Sequence, residues 1–290
     1  MEYQITVLVK QVPDTQNITG EAMKEDGTVN RAALPAIFNP EDLNALEEAI
    51  KIKEQYGGKV TVITMGPPNA SEVLRASLFR GADDVILLSD RKFAGADTLA
   101  TSYALCLAIK KAGAHDIVLC GRQAIDGDTA QVGPQTAEKL GINQITCVDK
   151  IVDIKNRSIT AERSVEGGYE VVKAKLPILL TITDEANTPR PPAAKKVLAH
   201  KYAVTPSELN NYDEEYLRTS EIGESHAIIQ LWDHEGIGAA AEQCGLSGSP
   251  TKVKQIESVV LDAGEFKNIE NSTHGLESLI QELMHEHIIG

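Results

Sequence analysis

The sequence predicts an α/β fold: a parallel core sheet covered by helices on both faces, extended by an antiparallel hairpin and followed by a C-terminal arm. Three observations carry that prediction. Short apolar runs alternate with helical patterns as far as Leu140, which is how strand–helix–strand units read in sequence. From Thr146 the apolar period switches to two, as antiparallel strands require. Beyond Asn187 apolar anchors thin out and prolines cluster, so the chain divides into an α/β domain over residues 1–186 and an extended arm with a C-terminal segment over residues 187–290.

The elements follow in order. Ile5 to Val9 is a strand, and a polar loop rich in Asp, Gly and Asn comes after it. Asn39 is placed to cap a helix that has Pro40 at its first position, Asp42 in its first turn and Leu43, Leu46, Ala49 and Ile50 on one side, ending near Gly57 and Gly58. Lys59 to Met65 is the second strand. A helix through Val73, Leu74 and Leu78 stops at Gly81, the strand Asp84 to Leu88 follows, and Asp97 starts a helix that runs to Gly113. Later, Ser158 to Val165 and Tyr169 to Leu176 flank Glu166-Gly167-Gly168 as a hairpin, and Ile178 to Thr183 is another apolar strand in that antiparallel region. The arm holds Asn187 to Ala194, Pro206 and an acidic stretch at Asp213 to Glu215. Leu276 to Ile289 reads as an amphipathic helix that packs on its own chain or on a partner.

The most informative stretch is Asp116 to Leu140. Ile117 to Cys120 is uninterrupted and apolar, as a strand buried on both faces should be, and Gly121 ends it. Asp128, with Gln131 three residues on, has the form of a capping box, and Val132, Ala137 and Leu140 give the helix an apolar side. A strand, a loop of small residues and a helix N-terminus direct free N–H groups and a positive dipole end at one spot, which suits a phosphate. Many strand-to-helix turns of this kind bind nothing, and Asp126 and Asp128 oppose an anion unless they are engaged elsewhere. The chain contains neither G-x-G-x-x-G nor G-x-x-x-x-G-K-[ST], so an ordinary NAD site and a P-loop are unsupported. Ligands in open parallel sheets sit beyond the strands' carboxyl ends where strand order reverses, so the loops at Val9, Asn39, Met65 and Gly121 are candidates to share one pocket.

Composition bounds the rest. A net charge of −14 disfavours nucleic acid and anionic membranes as partners. Cys106, Cys120, Cys147 and Cys244 lie far apart without ligand spacing, so reduced buried thiols are expected and no metal site. No apolar run of about 18 residues and no leader pattern is present, which points to a soluble, cytoplasmic protein without membrane insertion. The seven histidines form no nucleophilic arrangement, and no catalytic side chain is assigned.

Several ordered blocks carry a family resemblance: VLVKQVP at Val7 to Pro13, FNPED at Phe38 to Asp42, TMGPP at Thr64 to Pro68, RGAD at Arg80 to Asp83, GRQAIDGDTAQVGP at Gly121 to Pro134, the ER…GG hairpin at Glu162 to Gly168, and TPRPP at Thr188 to Pro192. Over nearly its whole length the chain resembles the β subunit of an electron-transferring flavoprotein. That resemblance implies a twisted sheet of the adenine-nucleotide-binding, Rossmann-like type and pairing with a homologous α subunit that carries FAD. It implies a nucleotide held near Leu8 and Lys10, by Asn39 and Asp42, by Met65 beside Gly66, and by the loop Gly121, Arg122, Gln123, Ala124, Ile125, Asp126, Gly127, Asp128, Thr129, Ala130, Gln131, Val132 and Gly133. For Asn39 and Asp42, helix capping stands beside ligand contact; for Met65, core packing does; for Arg122, a solvated surface position stands beside a role opposite a diphosphate or a reduced flavin.

The family has two branches, one with AMP in the β subunit and one with a second FAD. DGDTAQVGP, together with CGLSGSPTKV at Cys244 to Val253, resembles the FAD branch. In that branch NADH delivers hydride to the β-subunit flavin, and the two electrons part: one to ferredoxin or flavodoxin, the other through the α-subunit FAD to a flavin dehydrogenase such as an acyl-CoA dehydrogenase. The arm lacks the apolar residue after Pro-Arg that docks dehydrogenases in the mitochondrial type, having Pro191, Pro192, Ala193 and Ala194 there. Two other classes stay open: a free-standing adenine-nucleotide sensor, and an adenylating hydrolase or ligase hinted at only by SGSP at Ser247 to Pro250.

Overall fold

The computed structural model describes residues 2–14, 34–209, 228–251 and 267–285. Two compact units divide between residues 254 and 255. In the first, strands β1 (Tyr3–Leu8), β4 (Gly58–Met65), β5 (Asp84–Leu88), β6 (Ile117–Gly121), β7 (Asn143–Lys155), β8 (Ser158–Val165), β9 (Gly168–Lys175), β10 (Ile178–Ile182) and β11 (Ile229–Trp232) form one sheet in the order β11-β5-β4-β1-β6-β10-β7-β8-β9. A two-stranded antiparallel ribbon, β2 (Gln11–Pro13) with β3 (Ala36–Phe38), stands apart from it.

The parallel part forms where the sequence alternates. β1 leads through α1 (Pro40–Tyr56) to β4, β4 through α2 (Ser71–Arg80) to β5, and α3 (Thr98–Ala112) returns the chain to β6 on the other side of β1. Strand order therefore reverses between β1 and β6. Successive strand residues face opposite ways, so Ile5 and Val7 pack with α1 and α2 in one core, while Leu8, Val118 and Cys120 pack with α3 and α4 (Val132–Leu140) in the other. Burial of both faces explains why β6 and β10 have no polar alternation.

Several elements depart from the sequence reading. The apolar strand at Ile178 is β10, but it lies parallel between β6 and β7 rather than in the antiparallel extension, because its five residues are apolar or small enough to be buried on both sides. β7 escapes a period-two reading because its register shifts at two points and Cys147 has φ of 56°. The hairpin of β8 and β9 extends the sheet as expected. The sheet also continues past residue 186, since β11 pairs parallel with β5 at the far edge and belongs to the first unit. Four residues are too short a run to stand out in sequence.

The first described part of the arm is seated on α1 and α2 by ion pairs and hydrogen bonds, while Ala203, Val204, Ile229 and Ile237 further along it are buried. Arg190 pairs with Glu47 at 2.9 Å and Glu54 at 2.6 Å, Asn187 donates to Glu48, and Glu208 joins Ser71 and Arg75. Leu198, on the short helix α5 (Ala194–His200), is exposed. The polar loop after β1, the acidic stretch at Asp213 to Glu215 and the end of CGLSGSPTKV lie outside the described residues. In the second unit, α6 (Thr273–His285) carries Leu276, Ile280 and Met284 exposed along one side; residues 286–289 of the expected helix are likewise outside the described part. No helix among the described residues is long and apolar enough to cross a membrane.

Candidate functional site

The loops after β1 and β6 meet at the reversal of strand order, and the N-terminus of α1 is built into their junction. Asn39 does not cap the helix it precedes: no side-chain cap bond forms. Its buried amide donates instead to the Gln123 carbonyl at 2.9 Å and accepts from the Ile125 N–H at 3.1 Å, while its own N–H reaches the Lys10 carbonyl at 3.0 Å. Asp42 accepts from the N–H of Lys10 and of Gly121, both at 2.8 Å. Glu41 accepts from the Gln123 N–H at 2.8 Å and pairs with Arg122 at 2.9 Å. Three consecutive polar side chains, separated only by Pro40, thus hold the two loops together. Sequence reasoning missed Glu41, whose only signal is its place in the first turn beside Asp42.

Burial sets the electrostatics of this junction. Asp42 lies deep enough that its pKa is pushed up to about 7, with the Gly121 and Lys10 N–H bonds pulling the other way. Glu41 is raised by burial too, opposed by the Gln123 N–H and the Arg122 charge. Desolvation also raises the buried Cys120 thiol, which leaves it neutral and inert. Gly121 is required by closeness: a Cβ there would come within 2.6 Å of the Asp42 carboxylate and 2.8 Å of the α1 backbone.

The loop from Arg122 to Gln131 crosses to α4 in an open conformation. Asp128 and Ala130 have φ of 49° and 52°, a left-handed region that costs non-glycine residues about 1–3 kcal/mol each and is kept where surrounding structure or function demands it. α4 starts at Val132, later than the capping box centred on Asp128 predicts, because these two residues cannot enter a right-handed helix in that conformation. Its N-terminus has no acid in the first turn and no side-chain cap among the described residues. The acids that opposed an anion are engaged: both Asp126 oxygens take Lys10, at 2.7 and 2.8 Å, and Asp128 accepts from Gln123 at 3.1 Å. Thr129, Ala130 and Gln131 are exposed, and a Cβ on Gly127 would touch nothing within 4 Å. Gly133 lets α4 settle on the sheet, since a Cβ there would lie 2.8 Å from the Cys120 sulfur and 2.9 Å from Thr181.

Other expected residues frame the same edge. Leu8 is buried at the end of β1, and Met65 is half-buried beside Gly66, whose N–H bonds the Leu88 carbonyl. Thr98 donates to Gln131 at 2.9 Å and accepts from Gln135 at 3.2 Å, a support for the loop that no sequence motif announced. SGSP serves a structural end: Ser249 accepts from the Asp97 N–H at 2.8 Å and Thr251 donates to the Asp97 carboxylate at 2.7 Å, while Asp97 caps α3 as expected. All four cysteines are free, and the described residues contain no group able to hold a metal ion. Arg122 is neither a free cation nor fully solvated; Glu41 fixes one end, while its Nε is buried without a partner among the described residues.

Comparison with known proteins bears on this geometry. The family model described as "Electron transfer flavoprotein domain" matches residues 26–207. The chain is 43% identical over 286 residues to "Electron transfer flavoprotein subunit beta" of Thermoanaerobacterium thermosaccharolyticum, covering 98% of this chain and 99% of that protein. It is 41% identical over 288 residues to "Caffeyl-CoA reductase-Etf complex subunit CarD" of Acetobacterium woodii, covering 99% and 100%. "Protein FixA" of Azorhizobium caulinodans is 43% identical over 259 residues, covering 87% and 83%.

Proposed function

We propose, from the premise that this chain belongs to the electron transfer flavoprotein family as a β subunit, that it binds FAD at the α4 end of the β1–β6 crevice and works beside an α subunit as an electron-bifurcating flavoprotein. The observation that carries the reading is the unfilled N-terminus of α4, preceded by a loop held open by left-handed Asp128 and Ala130. Free N–H groups of the first turn suit a diphosphate, and Lys10 offsets the charge of Asp126, while Asp128 is engaged by the Gln123 amide. Gly127 leaves room for close approach.

On this reading Thr129 to Gly133 hold the diphosphate through main chain, since the Gly127 and Asp128 N–H groups already bond the Ala124 carbonyl; Leu8 and Met65 offer apolar contact, and Arg122, oriented by Glu41, supplies positive charge. Asn39, Glu41 and Asp42 set the loop. Bound FAD would accept hydride from NADH and release single electrons, one to ferredoxin or flavodoxin and one through the α-subunit FAD to a flavin dehydrogenase such as an acyl-CoA dehydrogenase. The relative named as a subunit of a caffeyl-CoA reductase–Etf complex supports a partner of that kind. The protein's role is position and electrostatics, without a nucleophile or general acid, in the cytoplasm.

Cofactor extraction from the co-purified heterodimer tests the proposal. Two FAD per αβ pair, with NADH bleaching the β-subunit flavin in the absence of any dehydrogenase, is the expected result. One FAD and one AMP, with no response to NADH, would make the chain a one-electron shuttle subunit with a structural nucleotide.

A further inference from the structure

A single carboxylate fastens the exits of both strands that flank the crevice. One Asp42 oxygen accepts from Lys10 at the end of β1, and the other accepts from Gly121 at the end of β6. No described cation pairs with it; Lys10 directs its ammonium to Asp126, and Arg122 directs its guanidinium to Glu41. The end of β6 is also where α4 docks, with Gly133 against Cys120 on the opposite face. Charge arriving at the α4 N-terminus therefore acts on a buried, unpaired acid through one strand end.

We propose that Asp42 is a proton-linked positioning residue: an anionic nucleotide bound at the α4 end disfavours its ionised form, so binding is accompanied by proton uptake at this carboxyl. The proposal rests on the reading above that the α4 end takes the nucleotide. Burial already places this carboxyl where neutral pH divides its two forms. Of the neighbouring groups, Glu41 is itself raised by burial, against the Gln123 N–H and the Arg122 charge, and its charge raises Asp42; Cys120 stays neutral, and Lys10 and Asp126 pair near solvent. Asp184 acts on Glu41 and raises it. Binding that takes up a proton weakens as pH rises.

The test is calorimetric titration of FAD into the nucleotide-stripped heterodimer, in two buffers of different ionisation enthalpy, from about pH 6 to pH 9. FAD is the probe because its diphosphate does not itself titrate in that range. We expect proton uptake near neutral pH and an affinity that falls about tenfold across it, as a one-unit shift in one group gives. In Asp42→Asn both the uptake and the pH dependence should vanish, whereas Glu41→Gln should retain them. FAD binding by wild type without proton exchange overturns the proposal and leaves the function standing; the wild-type measurement decides even if Asp42→Asn does not fold. Absence of both FAD and AMP binding overturns the function and the proposal together.

Discussion

At the C-terminal end of β6, α1 arrives on one face with Glu41 and Asp42 in its first turn, and α4 arrives on the other with no acid and no cap. Both helices offer N–H groups and the positive end of a dipole. At α1 the chain places two carboxylates in the first turn and uses them on the N–H groups of Lys10, Gly121 and Gln123, which ties down the β1 and β6 loops. At α4 it leaves the end open and sets a strained, small-residue loop before it. The first-turn acids fill the α1 end with negative charge, whereas the α4 end carries none. The filled end is scaffold for the open one.

Changes aimed at the filled end should cost stability, and changes at the open end should cost ligand. The largest effect expected is the pH dependence from Asp42. Its folded pKa of about 7 exceeds the ordinary 3.8, so the native state holds a proton that the unfolded state has lost. Stability from this group is therefore full below about pH 4 and declines as pH rises through 7, by on the order of 4 kcal/mol. Urea unfolding of wild type across that range should show the decline, and Asp42→Asn should show a flatter profile; equal slopes would contradict the assignment.

Next comes Gly121→Ala, which drives a methyl into the α1 backbone and should lower stability by about 3 kcal/mol in denaturant unfolding. Gly133→Ala meets a sulfur and a methyl that can yield slightly, so about 2 kcal/mol is expected. Gly127→Val sharpens the contrast: with open space around its Cβ, unfolding should shift by no more than about 0.5 kcal/mol. The bound nucleotide should nonetheless be lost from the purified heterodimer. Normal nucleotide content in that variant would place the site elsewhere.

Much of this contrast was legible in sequence. The alternation of apolar runs with helices located β1, β4, β5 and β6, and the small residues around Gly121 marked the loop. What sequence could not reveal was direction and exchange of partners. Asn39 looked like a cap because Asn before Pro favours that role, yet its amide is claimed by Gln123 and Ile125, residues more than 80 positions away. Asp128 looked like a cap because Gln131 stands three residues on, as in a capping box, and its left-handed backbone removed it from the helix. β10 is apolar whether it lies parallel or antiparallel, so its insertion beside β6 needed the fold. Arg190 and Glu47 reveal no attraction at a distance of 143 residues, yet they seat the arm.

The claim that α4, not α1, receives the nucleotide is tested most directly by amide hydrogen exchange on the heterodimer, stripped and then reloaded with FAD. New protection is expected in the loop from Asp126 to Gly133, and none in the first turn of α1, where Glu41 and Asp42 already carry negative charge. Protection that appears at Asn39 to Leu43 while the Asp126 to Gly133 loop exchanges as before would contradict it.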